Sequence, residues 1–232
     1  MSKYLKHYAS KFDMFRRLLN KEDPVIVEVG AHYGEDSVRF VETFPKCKIF
    51  CFEADPRNIK IFKKHIKNKR IKLFEYALSD KEATADFYLS HDHKLEKVPP
   101  KYDWISLEDY KNYKLSNSGS SSLKKGYSKN VAKISVKTGR YDIWAVENYD
   151  GLVDLVWVDV QGAEKSVLMG MGESIKNIKF IWMEYGEKCY QDAMSRSETV
   201  DFMNSLNFNE MANFSDNTPQ GDILFENRNL EI

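Results

Sequence analysis

Residues 25–37 read VIVEVGAHYGEDS, an apolar run that leads through a glycine turn into a polar segment. The short run of valine and isoleucine is typical of a buried strand. Gly30 and Gly34 bracket the turn, where a missing Cβ permits a positive φ and a close approach to a ligand. The spacing is GxxxG, and His32 stands where a dinucleotide site needs its second glycine. The turn favours a nucleoside cofactor without a pyrophosphate, such as S-adenosylmethionine; an ordinary strand-to-helix turn is the alternative.

Two further strand ends carry carboxylates that match this turn. FCFEAD, residues 50–55, places Glu53 roughly 20 positions beyond the turn, where nucleoside-binding α/β folds hold the ribose hydroxyls. VDLVWVDVQGAE, residues 153–164, places Asp159 at the end of another buried strand. Ligands of open parallel sheets lie outside the carboxyl ends of the strands, at the point where the strand order reverses. We expect both carboxylates at one cleft, with helix capping as the alternative role of each.

Glu28 is a carboxylate within the first strand, among valines and an isoleucine. Its burial is costly unless a partner bonds to it. We expect it to accept hydrogen bonds from the amides of the turn or to serve the ammonium group of a bound methionine moiety.

Composition narrows the class of protein. The 232 residues suit one large α/β domain, and the 35 basic and 35 acidic residues give no net charge of the kind that attracts nucleic acid. Cys47, Cys51 and Cys189 fit no zinc spacing and suggest no disulfide framework. Neither an apolar signal core nor a run of roughly 20 apolar residues is present. We expect a cytoplasmic protein with no membrane span, no metal and no nucleic-acid partner.

Apolar runs alternate with helical patterns along most of the chain, which predicts a parallel, doubly wound sheet. Residues 1–23 form a predicted helix on the core, and residues 24–232 one domain with an insertion at about 79–149 and a closing hairpin. The predicted elements of the regular part are strand Val25 to Gly30, helix Glu35 to Phe44, strand Lys48 to Glu53, helix Pro56 to Ile66, strand Ile71 to Leu78, strand Val153 to Val160, helix Glu164 to Met171, strand Phe180 to Tyr185 and helix Ser197 to Leu206.

Six segments in order resemble the FkbM family of S-adenosylmethionine-dependent methyltransferases. They are VGAHYG, FEADPRN, YALSD, SGSSSL, RYDIW and DLVWVDVQGAEKSVLMG, within roughly residues 24–187. The resemblance implies a mostly parallel, seven-stranded Rossmann-like sheet with a reversed C-terminal hairpin. It also implies methyl transfer from S-adenosylmethionine, with Asp159 near the transferred methyl group. It implies Gly30 and Gly34 in the cofactor turn, Glu53 at the ribose, Ala77, Leu78 and Ser79 beside the adenine, and Ser121 in a small polar loop near the cofactor. With Glu28, Ala31, His32 and Ala54, these are the predicted cofactor-binding residues.

The sequence specifies the methyl acceptor less closely than it specifies the cofactor. Tyr102, Trp104, Tyr110 and Tyr113 lie in the insertion, either as an aromatic lid over a sugar-like or polycyclic substrate or as residues that pack the insertion onto the sheet. The reaction expected is O-methylation of a hydroxyl on a small molecule or glycan-like acceptor. A catalytically silent cofactor-binding module and a nicotinamide-dependent dehydrogenase are the alternatives, the latter opposed by the missing GxGxxG.

A hydroxyl acceptor needs a group to take its proton, and a positioned carboxylate or imidazole does so. Asp159 is the preferred general base, and His91 and His93 are the next candidates. Glu184 ends a later strand at the same mouth, where it would share a magnesium ion with Asp159 or line the acceptor pocket; we favour the lining role. The oligomeric state is open.

Overall fold

The computed structural model describes residues 3–91, 97–126, 130–187, 189–215 and 218–230. His93 and Asn217 lie outside these ranges. The helices are α1 Lys3–Leu19, α2 Glu35–Thr43, α3 Pro56–His65, α4 Leu107–Asn112, α5 Tyr141–Asn148, α6 Glu164–Met171 and α7 Arg196–Ser205. The strands are β1 Val25–Val29, β2 Lys48–Phe52, β3 Ile71–Phe74, β4 Ala77–Leu78, β5 Ala83–Ser90, β6 Asn130–Gly139, β7 Val153–Val158, β8 Ile178–Gly186, β9 Phe208–Asn213 and β10 Gln220–Asn227.

Seven strands form the main sheet in the order β3-β2-β1-β7-β8-β10-β9. The first five run parallel, whereas β10 is antiparallel to both β8 and β9. The strand order reverses between β1 and β7. The switch point therefore lies at the carboxyl ends of these two strands, directly before Gly30 and Asp159. The predicted seven-stranded, mostly parallel sheet with a reversed C-terminal hairpin is confirmed.

The prediction of one strand over Ile71 to Leu78 is wrong. The chain leaves the main sheet after Phe74, and Ala77–Leu78 pairs in parallel with β6 in a second sheet of order β4-β6-β5. A Cβ built on Gly139 of β6 would lie 2.7 Å from the Tyr76 ring, so that ring packs against β6 at the change of sheet. Leu78 therefore lies outside the main sheet and is buried in the same apolar cluster as Phe52 of β2.

Two apolar cores cover the faces of the main sheet. Val25, Val27 and Val29 of β1 face one core, which includes α5, α6 and α7, while Ile26 faces the other. The second core includes Phe12 and other residues of α1 and Phe40 of α2. All of β1 is buried, which matches its mainly apolar sequence. Glu28 is the one charged residue within the strand.

The predicted start of α3 is confirmed in detail. Asp55 is the N-cap and accepts a hydrogen bond from the Arg57 backbone N–H at 2.9 Å, and Pro56 occupies the first turn. Such a cap stabilises a helix by about 1 kcal/mol. The cap fixes the direction of the chain directly after Glu53. Among the described residues, no helix is long and apolar enough to cross a bilayer.

Candidate active site

A cleft of about 400 Å³ opens at the carboxyl ends of the central strands. It is bordered by the turn after β1, the ends of β2 and β7, β4 and the segment 115–123. The predicted site residues that line it are Glu28, Gly30, Ala31, His32, Glu53, Ala54, Ala77, Leu78, Ser121 and Asp159. Gly34 and Ser79 lie outside the lining. Gly34 packs against Phe62, since a Cβ built on Gly34 would lie 2.7 Å from that ring. The Ser79 hydroxyl donates to Asp80 at 3.0 Å.

The glycine turn brings the ends of three strands together. Gly30 has a φ of 87°, and its backbone N–H donates to the Phe52 carbonyl at 2.9 Å. A Cβ built on Gly30 would lie 1.9 Å from the carbonyl oxygen of Asp159. This contact is with backbone and not with a movable side chain. The position therefore requires glycine on two grounds, namely its left-handed φ and its distance from β7.

We expect Gly30→Ala to lower the free energy of unfolding by about 2 kcal/mol, because alanine strains the backbone and pushes apart β1 and β7. Gly119→Ala is the matched control in the same cleft. Gly119 has no positive φ, and its Cβ would meet only the His32 ring, at 3.6 Å. Urea unfolding of both variants measures the difference. Equal stability of the two variants would contradict the packing described here.

Glu53 connects the glycine turn to the start of α3. It is 7% exposed; its Oε2 accepts from the His32 N–H at 2.7 Å, and its Oε1 accepts from the Ala54 and Asp55 N–H groups at 2.9 and 2.7 Å. Burial, followed by the charge of Asp55, raises the pKa of Glu53 to about 7. Each carboxylate oxygen can accept about two hydrogen bonds, so Oε2 retains capacity for a ligand hydroxyl.

Asn58 is a lining residue that the sequence analysis missed. It lies in the first turn of α3, is 2% exposed, and its Oδ1 is buried without a hydrogen-bond partner. An unsatisfied buried amide is uncommon and needs an explanation. Together with the apolar Leu78 and Phe87 and the spare capacity of Glu53, it gives this end of the cleft the character of a nucleoside site. The residues present thus fit the adenosine part of S-adenosylmethionine.

The side chain of Glu28 is directed away from the turn amides. It is 2% exposed and accepts a hydrogen bond from the Ser37 hydroxyl, with the Cys51 thiol 3.7 Å away. Burial, followed by the charge of Asp36, raises its pKa well above the usual range. The expected bonds to the turn are made instead by Glu53 and the Phe52 carbonyl. The hydrogen-bond partner of Glu28 is therefore Ser37 of α2 and not the glycine turn.

His32 links the glycine turn to the segment that closes the cleft. Its φ is 51°, its Nδ1 lies 2.8 Å from Glu35 Oε1, and its Nε2 lies 3.0 Å from Ser118 Oγ. Burial opposes protonation of the ring, but the Glu35 carboxylate outweighs it and raises the pKa of His32. The Tyr33 hydroxyl donates to the Leu115 carbonyl at 3.1 Å and so adds a second attachment.

Arg57 fixes the other side of the same segment. It donates to both oxygens of Asp55, to the Ser90 carbonyl at 3.1 Å and to Ser121 Oγ at 3.0 Å. Ser121 Oγ also accepts from the Ser90 N–H at 3.0 Å. Ser122 Oγ donates to the Val160 carbonyl at 3.0 Å. Through these bonds the serine segment, residues 118–122, is attached to α3, β5 and the end of β7.

The aromatic residues of the insertion form a third apolar core together with residues of the glycine turn and α3. Tyr102 and Tyr110 are 8% and 3% exposed and pack with Tyr33, Ile61 and other apolar residues, with Trp104 and Tyr113 against them. The alternative in which these residues pack the insertion onto the domain is therefore the observed one. Tyr102 and Tyr110 nevertheless border the cleft. His91 follows β5 and does not line it.

Asp159 lies exposed at the cleft, directly after β7. Its Oδ1 accepts from the Gln161 amide at 2.6 Å, and desolvation by the surrounding cleft raises the pKa of the carboxyl despite that bond. The capping alternative for Asp159 is not observed. Glu164, the first residue of α6, instead bonds to the turn before the helix, because its Oε1 accepts from the Val160 and Gly162 N–H groups at 3.3 and 3.1 Å.

Asp36 is a further carboxylate of the cleft, and the sequence analysis missed it. It lies in the first turn of α2, and its Oδ1 is buried without a hydrogen-bond partner. Burial, followed by the charges of Glu35 and Asp159, raises its pKa to about 7. The described residues contain no group of three or more His, Cys, Asp or Glu residues arranged to hold a metal ion.

Buried carboxyls give the protein a defined pH dependence. Burial is the largest cause that raises the pKa of Asp36, Glu53 and Glu164 to about 7 and that of Glu184 to about 9. The folded protein therefore binds more protons than the unfolded chain between about pH 4.5 and these values, and its free energy of unfolding falls as the pH rises through that window. We expect a lower Tm at about pH 8 than at about pH 6.

Thermal unfolding of the ligand-free protein at constant ionic strength measures this slope. Glu184→Gln removes the carboxyl whose pKa is raised to about 9 and flattens the decline of Tm between the two pH values. A Tm that rises from about pH 6 to about pH 8 would contradict the assignment of raised pKa values.

The chain is similar to known proteins in both sequence and fold. The family model for the methyltransferase FkbM domain matches residues 28–210. The chain is 33% identical over 228 residues to the 2-O-methyltransferase NoeI of Sinorhizobium fredii (strain NBRC 101917 / NGR234), covering 92% of this chain and 83% of that protein.

Among solved structures, the fold is similar to that of the METTL16 MTase domain, with a TM-score of 0.50 and 10% identity over 97% of this chain and 68% of that one. It is also similar to that of an uncharacterised protein of Listeria monocytogenes serotype 4b, with a TM-score of 0.50 and 8% identity over 100% of this chain and 70% of that one. These two likenesses concern the fold alone. The family match and the curated relative show that the chain belongs to the FkbM methyltransferase family and is an S-adenosylmethionine-dependent methyltransferase.

Proposed function

We propose that this methyltransferase methylates a hydroxyl oxygen of a small-molecule or glycan-like acceptor. The observation that carries the proposal is the Asp159 carboxylate, exposed at the cleft with its Oδ1 bonded to Gln161. Among the described residues, no hydrogen bond is made to its Oδ2. A hydroxyl needs such a free carboxylate oxygen to accept its proton, whereas a carboxylate acceptor does not. The relative named as a 2-O-methyltransferase supports the same class of acceptor.

The cofactor-binding residues extend from Asn58 to the glycine turn in this proposal. Glu53 Oε2 accepts from a ribose hydroxyl, while Leu78, Ala77 and Ala54 line the apolar space for the adenine. Gly30, Ala31 and His32 border the part of the cleft that leads from the ribose towards Asp159. Ser121 lines the covering segment. The bonds of that segment to Arg57 and Tyr33 keep it closed over the cleft and exclude water.

S-adenosylmethionine supplies an electrophilic methyl group on a sulfonium. The protein's own contribution is mainly orientation, because an in-line displacement needs the acceptor oxygen close to the methyl carbon and little other chemistry. Asp159 receives the hydroxyl proton on its free oxygen. Gln161 keeps the other oxygen in place, so the carboxylate does not need to reorganise during the reaction.

The experiment uses S-adenosylmethionine with an isotope-labelled methyl group and a panel of methyl glycosides and polyols, with amines and carboxylic acids of similar size as controls. We expect label in an O-methyl ether for at least one hydroxyl compound and none in the controls. Label only in an N-methyl or ester product would overturn the proposal. Binding of S-adenosylhomocysteine without transfer to any member of the panel would favour the catalytically silent alternative.

A further inference from the structure

Gln161 connects two carboxyl groups that come from different strands. Its Nε2 donates to Asp159 Oδ1 at 2.6 Å and to Glu184 Oε2 at 2.8 Å. Glu184 lies on β8, and its other oxygen, Oε1, accepts from the Gln220 amide at 2.7 Å. A primary amide has two N–H groups, so both hydrogens of Gln161 are used, one for each carboxyl.

Tyr190 determines which end of the Gln161 amide faces the carboxyls. Its hydroxyl donates to Gln161 Oε1 at 2.7 Å, with the Ser120 carbonyl 3.2 Å away as a second acceptor. If the amide turned over, its oxygen would face two carboxyl oxygens and its NH₂ would face the phenol. Tyr190 lies 29 residues from Gln161, in the segment between β8 and α7.

The backbone is shaped to hold this arrangement. Gln161 has a φ of 57°, and Gly162, with a φ of 97°, follows it. A Cβ on Gly162 would lie 2.5 Å from the Cβ of Tyr190, so only glycine leaves room for that ring. A left-handed φ at a residue other than glycine, asparagine or aspartate is uncommon and points to a functional reason.

We propose that Gln161 is a positioning residue of the methyl transfer: its amide, oriented by the Tyr190 hydroxyl, holds Asp159 at a fixed distance from Glu184 and leaves Asp159 Oδ2 directed at the acceptor. This inference rests on the proposed function. It adds a role for Glu184 as the second carboxyl that the Gln161 amide holds. Burial, with the Asp159 charge next, raises the pKa of Glu184 to about 9.

The sign of the expected change follows from the groups around Asp159. These groups are Lys11 of α1, His32 of the glycine turn, Asp36 of α2, Glu164 of α6, Glu184 of β8 and Asp222 of β10. Desolvation of the carboxylate raises the pKa of Asp159 most, the acidic groups raise it further, and Lys11 and His32 lower it. The Gln161 hydrogen bond also lowers it, because the bond stabilises the ionised form. Loss of that amide therefore raises the pKa of Asp159.

The test is an NMR titration of the carboxyl carbons in full-length protein labelled at Asp and Glu, with the Asp159 signal assigned by Asp159→Asn. In Gln161→Leu we expect the pKa of Asp159 to rise by about half a unit to one unit. Tyr190→Phe is expected to raise it by less, because the amide remains but loses its fixed orientation. Gln220→Leu is the control: it removes an amide from Glu184 alone and raises the pKa of Glu184 with little change at Asp159.

An Asp159 pKa in Gln161→Leu equal to that of the unmodified protein would overturn the inference, as would an equal shift in Gln220→Leu. The titration needs no acceptor, so it can succeed or fail independently of the proposed function. With an acceptor from the panel, kcat in Gln161→Leu is expected to fall about tenfold with little change in KM. The acid limb of its pH–rate profile is expected to move to higher pH, because the pKa of the general base rises. Full activity of Asp159→Asn would instead refute the proposed role of Asp159.

Discussion

Replacement of Glu53 by alanine is expected to weaken the binding of S-adenosylhomocysteine by about 100-fold or more. The Glu53 carboxylate is the proposed acceptor for the ribose hydroxyls, and hydrogen bonds to a charged group contribute about 1.5–3 kcal/mol each. The same carboxylate accepts from the N–H groups of His32, Ala54 and Asp55. Its removal leaves these donors without their partner and loosens the turn that lines the cleft. Calorimetric titration measures the affinity.

Glu75→Ala is the matched control for Glu53→Ala. Glu75 follows the neighbouring strand β3, its side chain is 47% exposed, and it pairs with Lys63 outside the cleft. We expect the control to bind S-adenosylhomocysteine like the unmodified protein. If Glu53→Ala retained the same affinity as the control, the ribose would have to bind elsewhere.

Replacement of Asp159 by asparagine is expected to lower kcat by about 10² to 10⁴ while the affinity for S-adenosylhomocysteine changes only a few-fold. Asparagine preserves the size of the side chain and its oxygen for Gln161, but it takes up no proton at neutral pH. The loss therefore appears in the transfer step and not in cofactor binding. Initial rates with a labelled methyl donor and an acceptor identified from the hydroxyl panel measure it.

Asp86→Asn provides the control for Asp159→Asn, because Asp86 lies on β5, pairs with Lys133 and is 53% exposed in its side chain. We expect it to leave kcat unchanged. A kcat in Asp159→Asn close to that of the control would show that another group accepts the proton. Asp36 is then the next residue to replace, since it lies in the same cleft with a pKa raised to about 7.

The parts of the fold that were predictable are those that local sequence determines. The buried runs of β1, β7 and β8 and the Asp55 cap of α3 depend on residues within a few positions of one another. The strand at Ile71 to Leu78 was predicted wrongly because an apolar run does not specify its partner strand. The change of sheet after Phe74 depends on Tyr76 packing against Gly139, more than 60 residues away.

The site was predictable where topology determines it. Glu53 and Asp159 end strands whose order follows from the alternating pattern, so their approach to one cleft could be expected. Asn58, Asp36 and the contact of Gln161 with Tyr190 could not, because they depend on the direction of side chains within turns and helices. Asn58, Asp36 and Gln161 are polar residues within or next to predicted motifs. That position is the only sign of a functional role that the sequence offers.

A crystal structure with S-adenosylhomocysteine, the product that stands in for the methyl donor, tests the central claim most directly. We predict that its ribose hydroxyls bond to Glu53, that its adenine lies against Leu78 near Asn58, and that its sulfur faces the open side of the cleft at Asp159. An adenosine bound away from Glu53 and Leu78, or a sulfur directed away from Asp159, would contradict the account.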